Sequence, residues 1–386
     1  MIGIDASLGS GGGVVLRGAL ALAVLTGRAV RLTRIRARRT SPGLKPQHLR
    51  IIELLARLSN AYVDGAVIGS QTLVFEPRRE LGLDSRLDSD IDIDTPGSLT
   101  LLLQTLLLPL SFAGRVSHLR LVGVTHAPRS PAYENLALNW LPQLEHAGYR
   151  AEVRLQAAGF APKGGGIVHA TIHPATLIEP LHLLQRGALL RISGQSVVAC
   201  LDPSVAERQR LHILSRLQSL GVPISIVSGT IPAAVPGTYI VLLAEFEHSQ
   251  QCFFALGELG KPPETVAAEA SDALMACLDS GGALDAHQAS QLLLPLSFAN
   301  GDSALSASRI SEHMLVTAEL INRFLPDAVS INGQVGEPGQ LMVRGCGVPQ
   351  MANRGIAAEA PIREQRWAGP PLARAYQRPA VSVSPL

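Results

Sequence analysis

Apolar positions recur along the chain with two periods, and the order in which the periods alternate predicts the architecture. Val14–Thr26 (VVLRGALALAVLT) has helical spacing. A predicted strand at Ala29–Ala37, a polar loop, a helix from about His48 to Asn60 and strand-like alternation over Tyr62–Phe75 come after it. The succession returns after the Leu-rich run that ends at Ala113. There it reads as a strand at Val116–Val124, a loop with Pro128 and Pro131, a helix from about Tyr133 to Ala147, and alternation over Arg150–His173. It returns once more after Gln291–Ala299, with a strand at Ala304–Ser308, a helix at Glu312–Phe324 and alternation over Val329–Val343. The unit is a helix, a strand, a helix and a pair of strands, used three times. The octapeptide LLLPLSFA occurs at both Leu106–Ala113 and Leu292–Ala299, as expected of an internal repeat.

One segment breaks the rhythm. Leu189–Val198 reads as a strand, Ser204–Leu220 as an amphipathic helix, Ile224–Val227, Tyr239–Phe246 and Gln251–Leu256 as strands, and Thr265–Leu278 as a helix. The expected fold class is therefore α+β, with three repeated units and a small inserted α+β domain ahead of the last. Residues 1–185 and 280–346 would form the large domain and 186–279 the insert. From 347 to 386 the chain is rich in Pro, Arg and Ala without periodicity and reads as a flexible arm.

Across 386 residues, 47% are apolar and 17% charged, which excludes a disordered chain; with only 4% aromatic residues, the core must be aliphatic. The four cysteines, Cys200, Cys252, Cys277 and Cys346, form no C-x-x-C pair, so neither a zinc site nor a disulfide framework is expected. Met1–Asp5 lacks the features of a signal peptide. The run Leu99–Leu110, broken by Thr100, Gln104, Thr105 and Pro109, is too short to cross a bilayer. The expected location is the cytoplasm.

A formal net charge of +2 conceals segregation. Between Asp5 and Glu53 there is no acid, whereas Arg17, Arg28, Arg31, Arg34, Arg36, Arg38, Arg39, Lys45 and Arg50 are all cationic. In a strand, Arg34, Arg36 and Arg38 would share one face. Arg suits bidentate phosphate contact, but such a run also fits a solvated face balanced by the later acidic stretch Glu76–Asp94. Gly9–Gly13 (GSGGG), ahead of the helix bearing Arg17, would let backbone N–H groups approach an anion. It is neither a Walker A loop nor a G-x-G-x-x-G fingerprint. Lys163–Gly166 reads as a strand bulge or a hairpin.

No lysine lies in a K-x-D-G context, and neither G-x-S-x-G nor H-E-x-x-H is present. Two histidines begin the second helix of a unit, His48 and His313. With Ser311 as N-cap, His313 would sit in the first turn, where the positive helix end favours a neutral imidazole. A structural role fits that position as well as a nucleophilic one.

Taken in order, Gly9–Arg17 (GSGGGVVLR), Ile35–His48 (IRARRTSPGLKPQH), Gly97–Ala113 (GSLTLLLQTLLLPLSFA), Gly159–Gly166 (GFAPKGGG), Gly257–Ala267 (GELGKPPETVA), Gln291–Ala299 and Ser311–Pro326 (SEHMLVTAELINRFLP) resemble the RNA 3′-terminal phosphate cyclases. The resemblance runs from Met1 to about Arg344. It implies three βαβαββ units, a plan shared with enolpyruvyl transferases, and an ATP-dependent ligase activity. His313 would take AMP from ATP and pass it to an RNA 3′-phosphate, and the neighbouring 2′-OH would then close a 2′,3′-cyclic phosphate and release AMP. It further implies that Arg17, Arg36, Arg39, Gln47 and His48 bind phosphate at the RNA end, and that Gln104, Pro131, His287 and Gln291 contact the nucleotide. The implied partners are RNA 3′ ends and ATP, without a membrane; oligomerisation stays open.

The chain departs from the family pattern at three positions. Ser10 and Ser290 stand where the family carries carboxylates, and His287 stands where an aromatic ring stacks on adenine. With those carboxylates gone, Mg²⁺ or Mn²⁺ would be held mainly by nucleotide phosphates. A non-catalytic RNA-binding scaffold is the alternative that the serines favour, although scaffold relatives lack the histidine kept here. An enolpyruvyl transferase would need neither His313 nor the insert.

Overall fold

The computed structural model describes residues 1–348 apart from 10–11, 80, 83–84, 94–96 and 129. Most of the C-terminal arm expected over 347–386 thus lies outside the described residues. The first unit runs β1 (Ile2–Asp5), α1 (Gly13–Thr26), β2 (Val30–Thr33), α2 (Pro46–Ser59), β3 (Tyr62–Asp64) and β4 (Leu73–Glu76). The second runs β5 (Ser89–Asp92), α3 (Leu99–Ser111), β6 (Ser117–Gly123), α4 (Tyr133–Asn135), a π-helical turn (Leu136–Trp140), α5 (Leu141–His146), β7 (Arg150–Ala157) and β8 (Gly166–His173).

The third unit opens with β9 (His182–Leu183). The inserted segment follows as β10 (Leu189–Ala199), α6 (Pro203–Leu217), β11 (Ile224–Thr230), β12 (Gly237–Phe246), β13 (Gln250–Leu256) and α7 (Pro263–Leu278). The unit resumes with α8 (Ala286–Leu296), β14 (Asp302–Ala307), α9 (Glu312–Phe324), β15 (Val329–Asn332) and β16 (Gly339–Arg344).

Three of the sheets have one topology. Their strand orders are β1-β2-β4-β3, β5-β6-β8-β7 and β9-β14-β16-β15, and in each the first pair is parallel and the others antiparallel. Each unit is therefore βαβαββ. Two corrections to the sequence reading follow. Every unit starts with a strand that periodicity did not reveal, and the insert interrupts the third unit after β9 instead of preceding it. Four residues or fewer make too short a run to show a period.

The helices of the three units pack into one aliphatic core. α3 is capped by Ser98, whose Oγ accepts from the Leu101 N–H at 3.4 Å, and α8 by Asp285, which accepts from His287 N–H at 2.7 Å and Gln288 N–H at 3.0 Å. In both, a proline (Pro109, Pro295) lies inside the helix and removes one i→i−4 bond; the Gln291 carbonyl left free by Pro295 accepts from Trp140 Nε1 at 3.3 Å. The two LLLPLSFA copies meet: the rings of Phe112 and Phe298 lie 5.4 Å apart, and Tyr149 packs on Phe112 at 5.9 Å. The Tyr149 hydroxyl donates to the Pro295 carbonyl at 2.8 Å.

The insert's sheet, ordered β11-β10-β12-β13, carries α6 and α7 over a second apolar cluster that includes Ile213, Leu242 and Leu274. Its Tyr239 stacks on His126 at 4.4 Å, and the His126 ring contacts Glu134 at 2.9 Å, both residues fully buried. At its ends, Arg186 donates to the carbonyls of Cys277 and Leu278, each at 2.7 Å.

The strand expected at Ala29–Ala37 forms only over Val30–Thr33, and its arginine-bearing end is overturned. β2 stops at Thr33, and Arg34 and Arg36 both take left-handed backbone conformations, φ 55°. Backbone bonds from Ala37 N–H to Arg34 O (3.1 Å), Arg39 N–H to Arg36 O (3.0 Å) and Gly43 N–H to Ile35 O (2.9 Å) fold the segment into successive turns around buried Ile35. The arginines do not share a strand face. The Lys163–Gly166 cluster joins β7 to β8 as a hairpin turn, with Gly164 and Gly165 at φ 71° and 79°.

Truncating the ring where the repeats meet (Phe112→Ala) removes a fully packed side chain from the shared core. It should cost about 3–5 kcal/mol, read as a lower urea midpoint with unchanged circular dichroism in the folded state.

Candidate active site

Four helices bring their polar residues to one cavity of about 140 Å³. Arg17 comes from α1, Gln104 and Thr105 from α3, His287, Ser290 and Gln291 from α8, and His313 and Thr317 from α9. The internal repeat explains part of this convergence. Gln104-Thr105 and Ser290-Gln291 are the residue pairs immediately ahead of the two LLLPLSFA runs, so equivalent positions of equivalent helices face one space.

His313 is the second residue of α9. Ser311 caps the helix, its Oγ accepting from the Met314 N–H at 3.2 Å. The His313 Nδ1 lies 2.8 Å from the Oγ of Ser290, a buried residue, and Ser290 Oγ lies 3.4 Å from Thr317 Oγ1. The residue stays solvent-accessible while its ring forms part of the cavity wall. Desolvation by that wall, then the neighbouring His287 and Arg17, push its pKa down to about 4. A neutral ring at the positive end of a helix, open to solvent, is a competent nucleophile.

His287 is exposed at the cavity rim, its ring centroid 6.3 Å from that of His313 and its Nε2 2.9 Å from Gln291 Nε2. The Gln104 Nε2 is buried without a hydrogen-bond partner, a donor left for a ligand to satisfy. Pro131 does not line this cavity. It is buried, and its carbonyl accepts from Thr100 Oγ1 at 2.7 Å.

The basic residues adjoin the cavity through Arg17. A Cβ on Gly13 would stand 2.6 Å from Arg17 Nη1 and 3.2 Å from His48 Nε2, so only glycine leaves room for the approach of these two side chains. His48, buried in the first turn of α2, accepts the Lys45 backbone N–H on Nδ1 at 3.1 Å, which places the ring proton on Nε2. Burial, then Arg17, Arg36 and Lys45, push its pKa down to about 3. It is thus a neutral N–H donor beside Arg17, whose own pKa is lowered by burial to about 10 and which stays charged.

Arg36 is half-buried, with Nε unpartnered and Nη2 3.4 Å from the Ser41 carbonyl; burial and then Arg39 lower its pKa. Arg39 is exposed, and Gln47 approaches Gly97, where an added Cβ would come within 3.3 Å of Gln47 Oε1. Ser10 lies outside the described residues. Arg36 and Arg17 are thus electrostatic neighbours of His48, and Arg17 also of the neutral His313 ring.

A family model for RNA 3′-terminal phosphate cyclase matches residues 8–331. The chain belongs to the RNA 3′-terminal phosphate cyclase family. It is 37% identical over 356 residues to the RNA 3′-terminal phosphate cyclase of Methylococcus capsulatus, covering 90% of this chain and 97% of that one. It is 41% identical over 318 residues to the protein of that name from Pseudomonas fluorescens (82% and 90%) and 38% identical over 341 residues to that of Thermococcus gammatolerans (88% and 97%).

Cyclase-family membership raises the question of a divalent ion. Among the described residues, no group of three or more His, Cys, Asp or Glu side chains is placed to hold a metal, and Ser290 spends its oxygen on His313. The described residues do not fit a protein-held Mg²⁺ or Mn²⁺. No helix among them is long and apolar enough to cross a membrane. Sequence reasoning missed Thr317 and Trp140, whose Nε1 donates to the Gln291 carbonyl at 3.3 Å; Thr317 stands one helical turn after His313, a spacing that would have flagged it.

Because the folded chain refuses a proton on His48 that the unfolded chain accepts at its ordinary 6.5, stability is complete above that pH and declines as pH falls toward 3. His313 adds to the loss down to about 4. His48→Gln, which cannot take the proton, should flatten part of this decline in denaturant midpoints measured from pH 7 to 4.

Proposed function

We propose that this chain uses ATP to convert an RNA 3′-terminal phosphate to a 2′,3′-cyclic phosphate through a histidyl–AMP intermediate. The observation that carries the reading is His313: neutral, accessible, at a helix N-terminus and held at Nδ1 beside the cationic Arg17. In the first step Nε2 attacks the α-phosphorus of ATP and pyrophosphate leaves. AMP then passes to the 3′-phosphate oxygen. The neighbouring ribose 2′-OH gives up its proton to solvent and attacks the RNA 3′-phosphorus, closing the ring; the bond from that phosphorus to the bridging oxygen breaks, and AMP departs as a far better leaving group than oxide.

Arg17 and the Nε2–H of His48 are suited to the phosphoryl oxygens, where preformed charge and N–H donors stabilise developing anions. Arg36, Arg39 and Gln47 would extend the donors toward the RNA end, and Arg makes the bidentate contact that phosphate favours. Gln104, Gln291 and His287 would contact the nucleotide, and the buried, unpartnered Nε2 of Gln104 supports this. Pro131, held by Thr100, would act from outside the cavity. The four free thiols fit a reducing compartment, and we propose the cytoplasm.

A second reading, an RNA-binding scaffold without catalysis, is favoured by two features: a serine at 290 and no cluster of metal-ligating side chains among the described residues.

Incubation with α-labelled ATP should give an acid-labile protein–AMP adduct that is absent from His313→Ala. No adduct with either Mg²⁺ or Mn²⁺ would leave the scaffold reading. The acid limb of adduct formation should fall near pH 4, because the ring remains neutral above that value; a limb at 6.5 would contradict the desolvation of the His313 ring at the cavity wall. For the RNA end, Arg36→Ala with Arg39→Ala should weaken binding of 3′-phosphorylated RNA more than of 3′-hydroxyl RNA, as measured by filter binding.

A further inference from the structure

A histidine can attack phosphorus only through a ring nitrogen that carries a lone pair, so the position of its single proton matters as much as its charge. We propose that Ser290 and Thr317 form a hydroxyl relay that keeps the His313 proton on Nδ1 and leaves the Nε2 lone pair facing the cavity. Both are positioning residues. The inference rests on the reading of His313 as the AMP acceptor.

The proton count supports it. Thr317 Oγ1 donates to the His313 carbonyl at 2.8 Å, one turn back along α9. A hydroxyl has one proton, so toward Ser290 the Thr317 oxygen is an acceptor only. Ser290 Oγ also has one proton and two neighbours, His313 Nδ1 at 2.8 Å and Thr317 Oγ1 at 3.4 Å. If Ser290 donates to Nδ1, the ring proton is on Nε2, and the two hydroxyl oxygens face each other lone pair to lone pair. If Ser290 donates to Thr317, Nδ1–H donates to Ser290, and every contact in the ring of four groups becomes a hydrogen bond. The second arrangement makes one more bond, and it does so on the Ser290 hydroxyl, which is itself buried. The charge of Arg17 in the same cavity favours a lone pair over an N–H on the exposed nitrogen.

The attack then balances without a base. The Nε2 lone pair forms the N–P bond, the bond from α-phosphorus to the bridging oxygen breaks, and its electron pair leaves with pyrophosphate. The ring becomes a cation that keeps its Nδ1–H on Ser290. A carboxylate at 290 would hold the same tautomer but would also favour protonation of the free ring; serine orients without charge.

The test reads the tautomer directly. In full-length, nucleotide-free protein labelled with ¹⁵N-histidine, the His313 signals are assigned by their loss in His313→Asn. The expected result at neutral pH is a protonated Nδ1 and an unprotonated Nε2. Thr317→Val, nearly isosteric but unable to accept, should move the ring toward the Nε2–H form and slow adduct formation about tenfold, since only the other form attacks. Thr317→Ser should restore both. An Nε2–H ring in the unaltered protein, or a tautomer unmoved by Thr317→Val, would overturn the relay whether or not the adduct forms. A tautomer that moves as expected in a protein that never takes up AMP would support the relay and sink the proposed reaction.

Discussion

One guanidinium, Arg17, neighbours two imidazoles, His48 and His313, and of the three only the guanidinium is charged. Burial is the first cause for both rings, and Arg17 adds to it in each. His48, its Nδ1 committed to the Lys45 N–H, is left as a donor, while His313, its Nδ1 turned to Ser290, has Nε2 open. In the proposed reaction the same residue type would serve opposite ends of a phosphoryl transfer, because the backbone of one helix and the side chain of another engage the same ring atom. Gly13 is the steric condition for this pairing, since a methyl group there would displace Arg17 from His48.

The repeat makes the convergence possible. α3 and α8 carry the same octapeptide, touch through Phe112 and Phe298, and present the residues ahead of it to the same cavity. α1 and α9 complete the wall. Repetition of a βαβαββ unit brings equivalent helices together at the centre, and polar side chains at a few of their positions then suffice to turn a packing interface into a polar-lined cavity.

Much of this was legible in the chain. The helix at Glu312–Phe324 was read with its observed bounds, and the octapeptide revealed the repetition. The short opening strands were not legible, because β5 (SDID) alternates over too few residues and looks like an acidic loop. The segment from Ile35 to Arg38 alternates apolar and charged residues as a strand does, yet its hydrogen bonds are local and close turns. At the site, Arg17, Gln104, His287, Ser290, Gln291 and His313 were named, mostly through the family resemblance, whereas Trp140 and Thr317 were not. What the chain does not spell out is that Ser290 reaches His313 and Thr317, for that depends on how α8 packs on α9.

The place of the insert has a consequence for biosynthesis. β9 pairs with β14 across the whole inserted segment, with Ala304 opposite His182. Closing that parallel pair over an unstructured chain carries a loop-entropy cost that grows with length. Once the insert has folded, Arg186 ties its two ends together through Cys277 and Leu278, and the gap shrinks to a short span. As the ribosome releases the chain, the first two units can settle in order, the insert next, and the last sheet only afterwards. The helix that bears His313 is therefore among the last parts to be seated, so the cavity it closes is not complete until the rest of the molecule has been built.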